Sequence, residues 1–457
     1  MTAGDKPGSR LSRGARIGRV AVRHTAREAI GSVRSPFLSE AEQARAQDER
    51  ILRLADDLAV TLGSMKGAAM KLGQVLSLLN FGLGSAESRA EFARRLEPLF
   101  SQAPPADNAA VLRAIDEDLG ARGRLLESIE PTPIASASLG QVYRGRLTDG
   151  RVVAVKAQYP SIRHAVRADL KNLALLVRLR PRYYAEVGLE DILAEVSRQI
   201  LAELDYGREL ASHRAVYEAY RGHPVFVIPE PIDELCTERI LVTEYLDGTQ
   251  LHQLGDADQA VRDRIGEVIY RFYCGSLYTT GSFCADPHPG NVIVLPDMRV
   301  GFLDFGLFVQ MTEAEIDLER AIFAAVMSGD AQTAHRLACA AGFIVDSDAM
   351  PADMALRYMQ TVGEWFFTPG VVRVTDRTAY KSLTQAMMPR SDFGSGVFRQ
   401  RLQSAHTFSR RTEMSVCALL GTLEASAVWR DIASEWILQS PPATELGRRI
   451  AEWRATS

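Results

Sequence analysis

Three short segments place chargeable or polar side chains in rigid or apolar frames. Residues 153–156 read Val-Ala-Val-Lys, residues 286–291 read Asp-Pro-His-Pro-Gly-Asn, and residues 303–306 read Leu-Asp-Phe-Gly. In a strand, alternation sends Lys156 and Ala154 to the same side. Two prolines and a glycine make 286–291 a stiff, non-helical loop suited to holding polar groups still. A fourth segment, Glu203-Leu204-Asp205-Tyr206-Gly207-Arg208-Glu209, adds carboxylates in a stretch that reads as helix. Together these are the parts phosphoryl transfer needs. A cation binds the phosphates, oxygen ligands hold Mg²⁺, and a base positions the acceptor. On a continuous helix Glu203 and Glu209 lie about 240° apart, so one can face Lys156 while the other faces elsewhere.

Taken singly, each segment also has an ordinary reading. Lys156 suits a surface lysine, and the helix carboxylates suit a solvated face. His288 could be a metal ligand or a base, but without a second histidine a structural role fits better. Order and spacing decide. Val-Ala-Val-Lys is close to the lysine strand of kinases, the Asp286–Asn291 spacing matches the kinase catalytic loop, and Asp304-Phe305-Gly306 matches the metal-binding loop. Asp304 stands 13 residues beyond Asn291, the distance expected for a hairpin between the two loops. The usual glycine-rich loop is missing. Within Ile134–Tyr143 only Gly140 remains, beside Ala135, Ser136, Ala137 and Ser138. A Cβ restricts positive φ and close approach to phosphate, so a nucleotide must be held differently here.

The elements that must position these groups follow from pattern. A helix is expected over 107–120, ending at Gly120. Strands are expected at 141–147 and 151–158, joined by Thr148-Asp149-Gly150, a hairpin signal. A long helix is expected at about 188–220. Strands follow at 225–228 and 239–244, then short apolar runs at 292–295 and 300–303 within a mainly helical remainder. The expectation is an α+β, two-lobed, protein-kinase-like fold with an N-terminal helical extension and a largely helical C-lobe. Its parts would be a basic tail at 1–35, a helical extension at 36–120, an N-lobe at 121–248 and a C-lobe at 249–457.

Composition narrows the function classes. The chain has 457 residues, 46% hydrophobic and 24% charged, with a formal net charge of −4, which argues against a nucleic-acid binder. Five scattered cysteines without a Cys-x-x-Cys pair indicate neither a zinc site nor a disulfide framework. No apolar run reaches about 18 residues, the usual membrane span. Arg10, Arg13, Arg16, Arg19, Arg23 and Arg27 form a basic stripe. It reads either as a solvated arm or as a peripheral helix for anionic lipid. A cytoplasmic location is expected, with peripheral contact at the inner face of the membrane left open.

The alanine-rich loop gives the family resemblance. The chain resembles the ABC1/UbiB (AarF, Coq8-like) atypical kinases, which carry such a loop in place of the glycine-rich one. It also has Lys71-Leu72-Gly73-Gln74, similar to their K-x-G-Q motif, and Glu203-Leu204-Asp205, similar to their E-x-D motif. The resemblance covers about residues 50–345. It implies ATP and Mg²⁺ as cofactors, with Ala135, Ser136, Ala137, Ser138, Gly140, Lys156 and Glu244 contacting nucleotide. Lys156 would pair with Glu209, Asn291 and Asp304 would hold Mg²⁺, and Asp286 would take the catalytic-base position. Lys71, Gly73 and Gln74 would cover the peptide groove, with Lys71 pairing with Glu203 and Asp205. The family is tied to isoprenoid-quinone (ubiquinone) biosynthesis and lipid homeostasis. The partners it implies are ATP, a membrane lipid or quinone precursor, and quinone-biosynthesis proteins. The chain departs from relatives after Glu209, reading Leu210-Ala211-Ser212. Two rival readings are a non-catalytic nucleotide- or lipid-binding scaffold and a small-molecule phosphotransferase.

Overall fold

The computed structural model describes residues 107–136, 139–178, 200–344, 347–348, 350–387 and 404–456, with isolated positions elsewhere. The basic stripe, most of the helical extension expected at 36–120 before residue 107, Lys71, Gly73, Gln74, Ala137 and Ser138 lie outside the described residues. The chain divides into two compact units. The first is Met1–Gly150, Ala154–Tyr206 and Thr237–Leu241; the second is Arg151–Val153, Gly207–Cys236 and Val242–Ser457.

In chain order the early elements are α1 (Asn108–Leu119), β1 (Leu126–Ile129), β2 (Ala135–Ser136), β3 (Gly140–Leu147), β4 (Val152–Gln158) and α2 (Ile162–Arg178). There follow α3 (Tyr206–Ala219), β5 (Phe226–Val227), β6 (Ile240–Glu244), β7 (Thr249–Gln250), α4 (Gln259–Tyr273) and α5 (Gly275–Thr280). Four short strands come next: β8 (Ser282–Cys284), β9 (Val292–Val294), β10 (Val300–Phe302) and β11 (Phe308–Gln310). The remainder is α6 (Glu313–Ser328), α7 (Ala331–Ala340), α8 (Ala352–Val362), α9 (Glu364–Phe367), β12 (Val372–Arg373), α10 (Asp376–Met387), α11 (Ser404–Leu423), β13 (Ser426–Ala427), α12 (Trp429–Ile437) and α13 (Glu445–Thr456). This is the expected α+β layout, with helices dominating after β11.

In the first unit, α1 begins where the Asp107 side chain accepts the Ala109 N–H and ends at Gly120, φ 50°. Val111, Ile115 and Leu119 make its buried stripe. One sheet runs β1-β3-β4-β6, with β2 also on β3. The β3–β4 turn needs Gly150, whose φ of 92° an L side chain resists. Gly140 meets a different demand. A Cβ there would come within 2.1 Å of the Ala157 carbonyl oxygen, so only glycine lets β3 start this close to β4.

The helix expected at 188–220 does not run unbroken. Residues 200–203 are helical, Leu204 is in a turn, and α3 starts afresh at Tyr206. Three hydrogen bonds explain the break. Gln158 Nε2 and Arg163 Nη2 donate to the Leu204 carbonyl at 2.8 and 2.7 Å, and the Tyr206 N–H donates to Glu238 at 3.2 Å. The 240° separation of Glu203 and Glu209 therefore does not apply, because they stand on different helical segments.

The second unit is built round aromatic packing. Phe272 of α4 stacks on Phe302 of β10 with centroids 3.6 Å apart, and Trp429 is fully buried. From Gly207 onward α3 groups with this unit. Its His213 ring lies 4.5 Å from that of Phe305. Buried Glu319 joins α6 to α11 by accepting from Ser409 Oγ at 3.1 Å, His406 Nδ1 at 2.8 Å and Arg410. Burial opposes its charge, but Arg410 and His406 outweigh that and keep the carboxyl below its usual range. All five cysteines are free thiols. Among the described residues no helix is long and apolar enough to cross a membrane.

His223 makes part of this unit's stability depend on pH. It is 2% exposed, its Nδ1 accepts the Phe226 N–H at 2.9 Å, and its ring stacks on Phe226. Burial, with Arg454 adding repulsion, pushes the imidazole from 6.5 to about 3. The sign follows directly. The contribution is complete above 6.5 and is lost as pH falls from there towards 3, because only the unfolded chain takes up the proton. From roughly pH 7 to pH 5, this group should lower the unfolding free energy by about 2 kcal/mol. Urea melts at both pH values should show a shallower fall for His223→Gln; an equal fall would contradict the assignment.

Candidate active site

Four strands of the second unit set two loops side by side. β8 pairs antiparallel with β11, placing Cys284 opposite Phe308, and β9 pairs with β10, placing Val292 opposite Phe302. The first loop, 285–291, leaves β8 and enters β9. The second, 303–307, leaves β10 and enters β11. Main-chain bonds cross between them: the Ala285 N–H donates to Leu307 at 2.9 Å and the Leu303 N–H to Asn291 at 3.0 Å. The hairpin expected between the loops is present as β9–β10. β8 and β11, each three residues long, went unread in the sequence.

Asp286 and Asn291 come together on the first loop. Asn291 Nδ2 donates to the Asp286 carbonyl at 3.4 Å, which leaves the amide oxygen as the end that suits a cation. His288 is exposed, and its Nδ1 accepts the Gly290 N–H at 3.1 Å. This is a structural cap on the turn, as its isolation in the sequence suggested. The residue that sequence reading missed is Arg411 of α11. Its Nη2 lies 3.4 Å from Asp286 Oδ1, so a cation faces the candidate base. Arg411 stands 125 positions downstream, and no local motif marks it.

On the second loop, Asp304 Oδ1 accepts the Gly306 N–H at 2.9 Å. The buried Glu209 carboxylate of α3 belongs to the same group, since a Cβ on Gly306 would lie 3.2 Å from Asp304 Oδ1 and 3.7 Å from Glu209 Oε2. The loop glycine thus admits two carboxylates close to its main chain. Glu209 sits in the first turn of α3, where the unpaired amides of a helix start favour negative charge. Phe305 anchors the loop from beneath and is 1% exposed.

The remaining residues lie on other elements. In the first unit, Lys156 and Ala154 share the half-buried face of β4, and the Lys156 ammonium is 5.2 Å from the Tyr206 ring centroid. Ala135 and Ser136 form β2, exposed and paired with Val142 and Gln141. Glu203 and Asp205 flank the Leu204 turn fixed by Gln158 and Arg163. In the second unit, the exposed carboxylate of Glu244 accepts the Glu230 N–H at 3.4 Å.

The oxygen donors Asn291 and Asp304 suit a hard cation such as Mg²⁺. Among the described residues no trio of His, Cys, Asp or Glu side chains converges as a metal cage. A Mg²⁺ site that takes one or two protein oxygens plus phosphate oxygens and water does not require one.

Comparison with known proteins shows what the chain as a whole is similar to. The model of the ABC1 atypical kinase-like domain matches residues 98–338. The mitochondrial atypical kinase COQ8B of Rattus norvegicus is 31% identical over 274 residues, covering 60% of this chain and 49% of that protein. COQ8B of Danio rerio is 30% identical over 345 residues, covering 72% and 53%. AarF domain-containing kinase 1 of Drosophila melanogaster is 28% identical over 286 residues, covering 60% and 54%. The chain thus spans about half the length of the curated relatives it matches. A solved structure, Rv3197 from Mycobacterium tuberculosis in complex with erythromycin, superposes with a TM-score of 0.62 at 28% identity. It covers 87% of this chain and 98% of that one.

Proposed function

The chain belongs to the ABC1 atypical kinase-like family, and from that premise we propose that it is a Mg²⁺-dependent ATPase or atypical kinase. The observation carrying this reading is the cross-bonded pair of loops, which gathers Asp286, Asn291 and Asp304 on strands that fix their spacing, with Glu209 of α3 beside Asp304 at Gly306. In this reading Asn291 and Asp304 would hold Mg²⁺, which would supply positive charge to offset that of the phosphates. Lys156 binds the α- and β-phosphates, with Glu209 as its partner. Asp286 accepts the proton of the attacking hydroxyl or water, and Arg411 keeps that carboxylate oriented. Ala135, Ser136, Ala137, Ser138, Gly140 and Glu244 line the nucleotide. Lys71, Gly73 and Gln74, with Glu203 and Asp205, block a peptide groove and turn the chemistry away from protein substrates.

The acceptor side of the proposal is a membrane lipid or isoprenoid-quinone precursor, with ATP turnover supporting ubiquinone biosynthesis or lipid homeostasis. Support comes from the family and from COQ8B among its relatives. The test is hydrolysis of Mg·ATP by the purified chain, with and without anionic-lipid vesicles and a quinone-precursor-like phenol. Hydrolysis that rises with lipid supports the proposal. Nucleotide binding without turnover in every condition would favour the scaffold reading.

A further inference from the structure

Away from the two loops, α4, α5, α12 and α13 of the second unit line an open cavity of about 360 Å³, with Gln439 and Arg454 exposed at it. Asp286, Asn291 and Asp304 are not among its walls. Its volume falls at the lower end for small-molecule sites. We propose that this cavity is a second ligand site and that its ligand is a small aromatic monocarboxylate.

Three arginines reach the cavity, and they are not equivalent. Arg271 donates to Glu267 at 2.7 Å, to both oxygens of Glu435 at 2.7 and 2.8 Å, and to Thr444 at 2.9 Å. Gly447 makes that arrangement possible, because a Cβ there would sit 2.8 Å from both Arg271 and Glu435. Arg320 donates to the carbonyls of Tyr278 and Trp436 and to Asp317. Both guanidinium groups are committed to holding helices together. Arg454 of α13 is different: among the described residues it has neither a hydrogen bond nor an ion pair, although it lines the cavity. A guanidinium fork offers two parallel N–H donors, the geometry a carboxylate accepts.

The other walls narrow the ligand further. Tyr278 and Trp436 are among the wall residues, their rings stacked on each other 13° apart with centroids at 6.4 Å. They make that stretch of wall aromatic and apolar, which suits an apolar ligand body. Glu435 lies on the wall with both oxygens bound by Arg271, so Arg454 is the uncommitted cation among the described wall residues, and a singly charged carboxylate balances it. Gln439, on the segment after α12, is held at φ 55° without a glycine's freedom. Such strain persists where the surroundings impose it, commonly at binding sites. The Gln439 amide lines the cavity and has no partner among the described residues, so it can supply a second polar contact.

The test titrates the full chain with benzoate, phenyl phosphate and benzyl alcohol, read by calorimetry and tryptophan fluorescence. Benzoate should bind with a Kd of about 1 mM or tighter, ahead of the other two, and Arg454→Gln should weaken it about tenfold without changing benzyl alcohol binding. Gln439→Gly separates function from folding: it relieves the strained backbone and should raise thermal stability while weakening benzoate. No benzoate binding to the wild-type chain up to about 10 mM would overturn the site. So would equal affinity in Arg454→Gln. Phenyl phosphate binding more tightly than benzoate would overturn the choice of a monocarboxylate.

Discussion

Replacing Asp304 with asparagine is expected to remove Mg²⁺-dependent ATP turnover and leave the fold intact. The carboxamide keeps an oxygen that can accept the Gly306 N–H, the 2.9 Å bond that shapes the loop. It lacks the negative charge that a hard divalent cation requires at its few protein ligands. Turnover should fall by about 100-fold or more, the scale on which a lost charge ligand acts in the transition state. Two measurements check this. ADP release should fall to the level of a protein-free control. The thermal stabilisation conferred by Mg·ATP on the wild-type chain should shrink or vanish. Wild-type turnover, or undiminished stabilisation by nucleotide, would remove Asp304 from the metal site. Asp304 is not among the walls of the cavity near Arg454, and an unchanged far-UV circular dichroism spectrum and urea midpoint would show that the variant folds.

Phe305→Ala is expected to have the largest effect on stability. The ring is 1% exposed and packs at 57° on His213, 4.5 Å between centroids. Truncating a buried phenylalanine costs about 3–5 kcal/mol through lost transfer energy and the cavity left behind. Phe305→Leu, closer in volume, should cost under about 1.5 kcal/mol. Urea denaturation separates the two. A loss below about 1 kcal/mol for the alanine variant would mean that the loop is not anchored through this ring. His213 also gives its Nε2–H to the Pro229 carbonyl at 2.7 Å, so removing Phe305 also takes away a wall that holds α3 in register.

Much of the site was legible in the sequence because its signals are short and stiff. Asp-Gly marked the β3–β4 hairpin, and Gly120 marked the end of α1. The spacing of Asp286, Asn291 and Asp304 foretold two loops on a hairpin. What escaped depends on distant partners. The run Glu203–Glu209 has ordinary helical composition, and its break is imposed by Gln158 and Arg163 bonding to one carbonyl from elsewhere in the chain. Gly140 read as the remnant of a phosphate loop, yet its missing side chain is required by the Ala157 carbonyl across the sheet. Arg411 gave no local sign, and neither did β8 and β11, whose three-residue lengths are too short for periodicity to register.

The crossed main-chain bonds between the loops also govern how the region breathes. The Ala285 amide is held by Leu307, and the Leu303 amide by Asn291. Neither loop can therefore lift away without releasing bonds that belong to the other. Their amide protons exchange with solvent through one shared opening event rather than two separate ones. Anything that clasps either loop lengthens the closed lifetime of both, so protection gained at the Ala285 amide should be shared by the Leu303 amide.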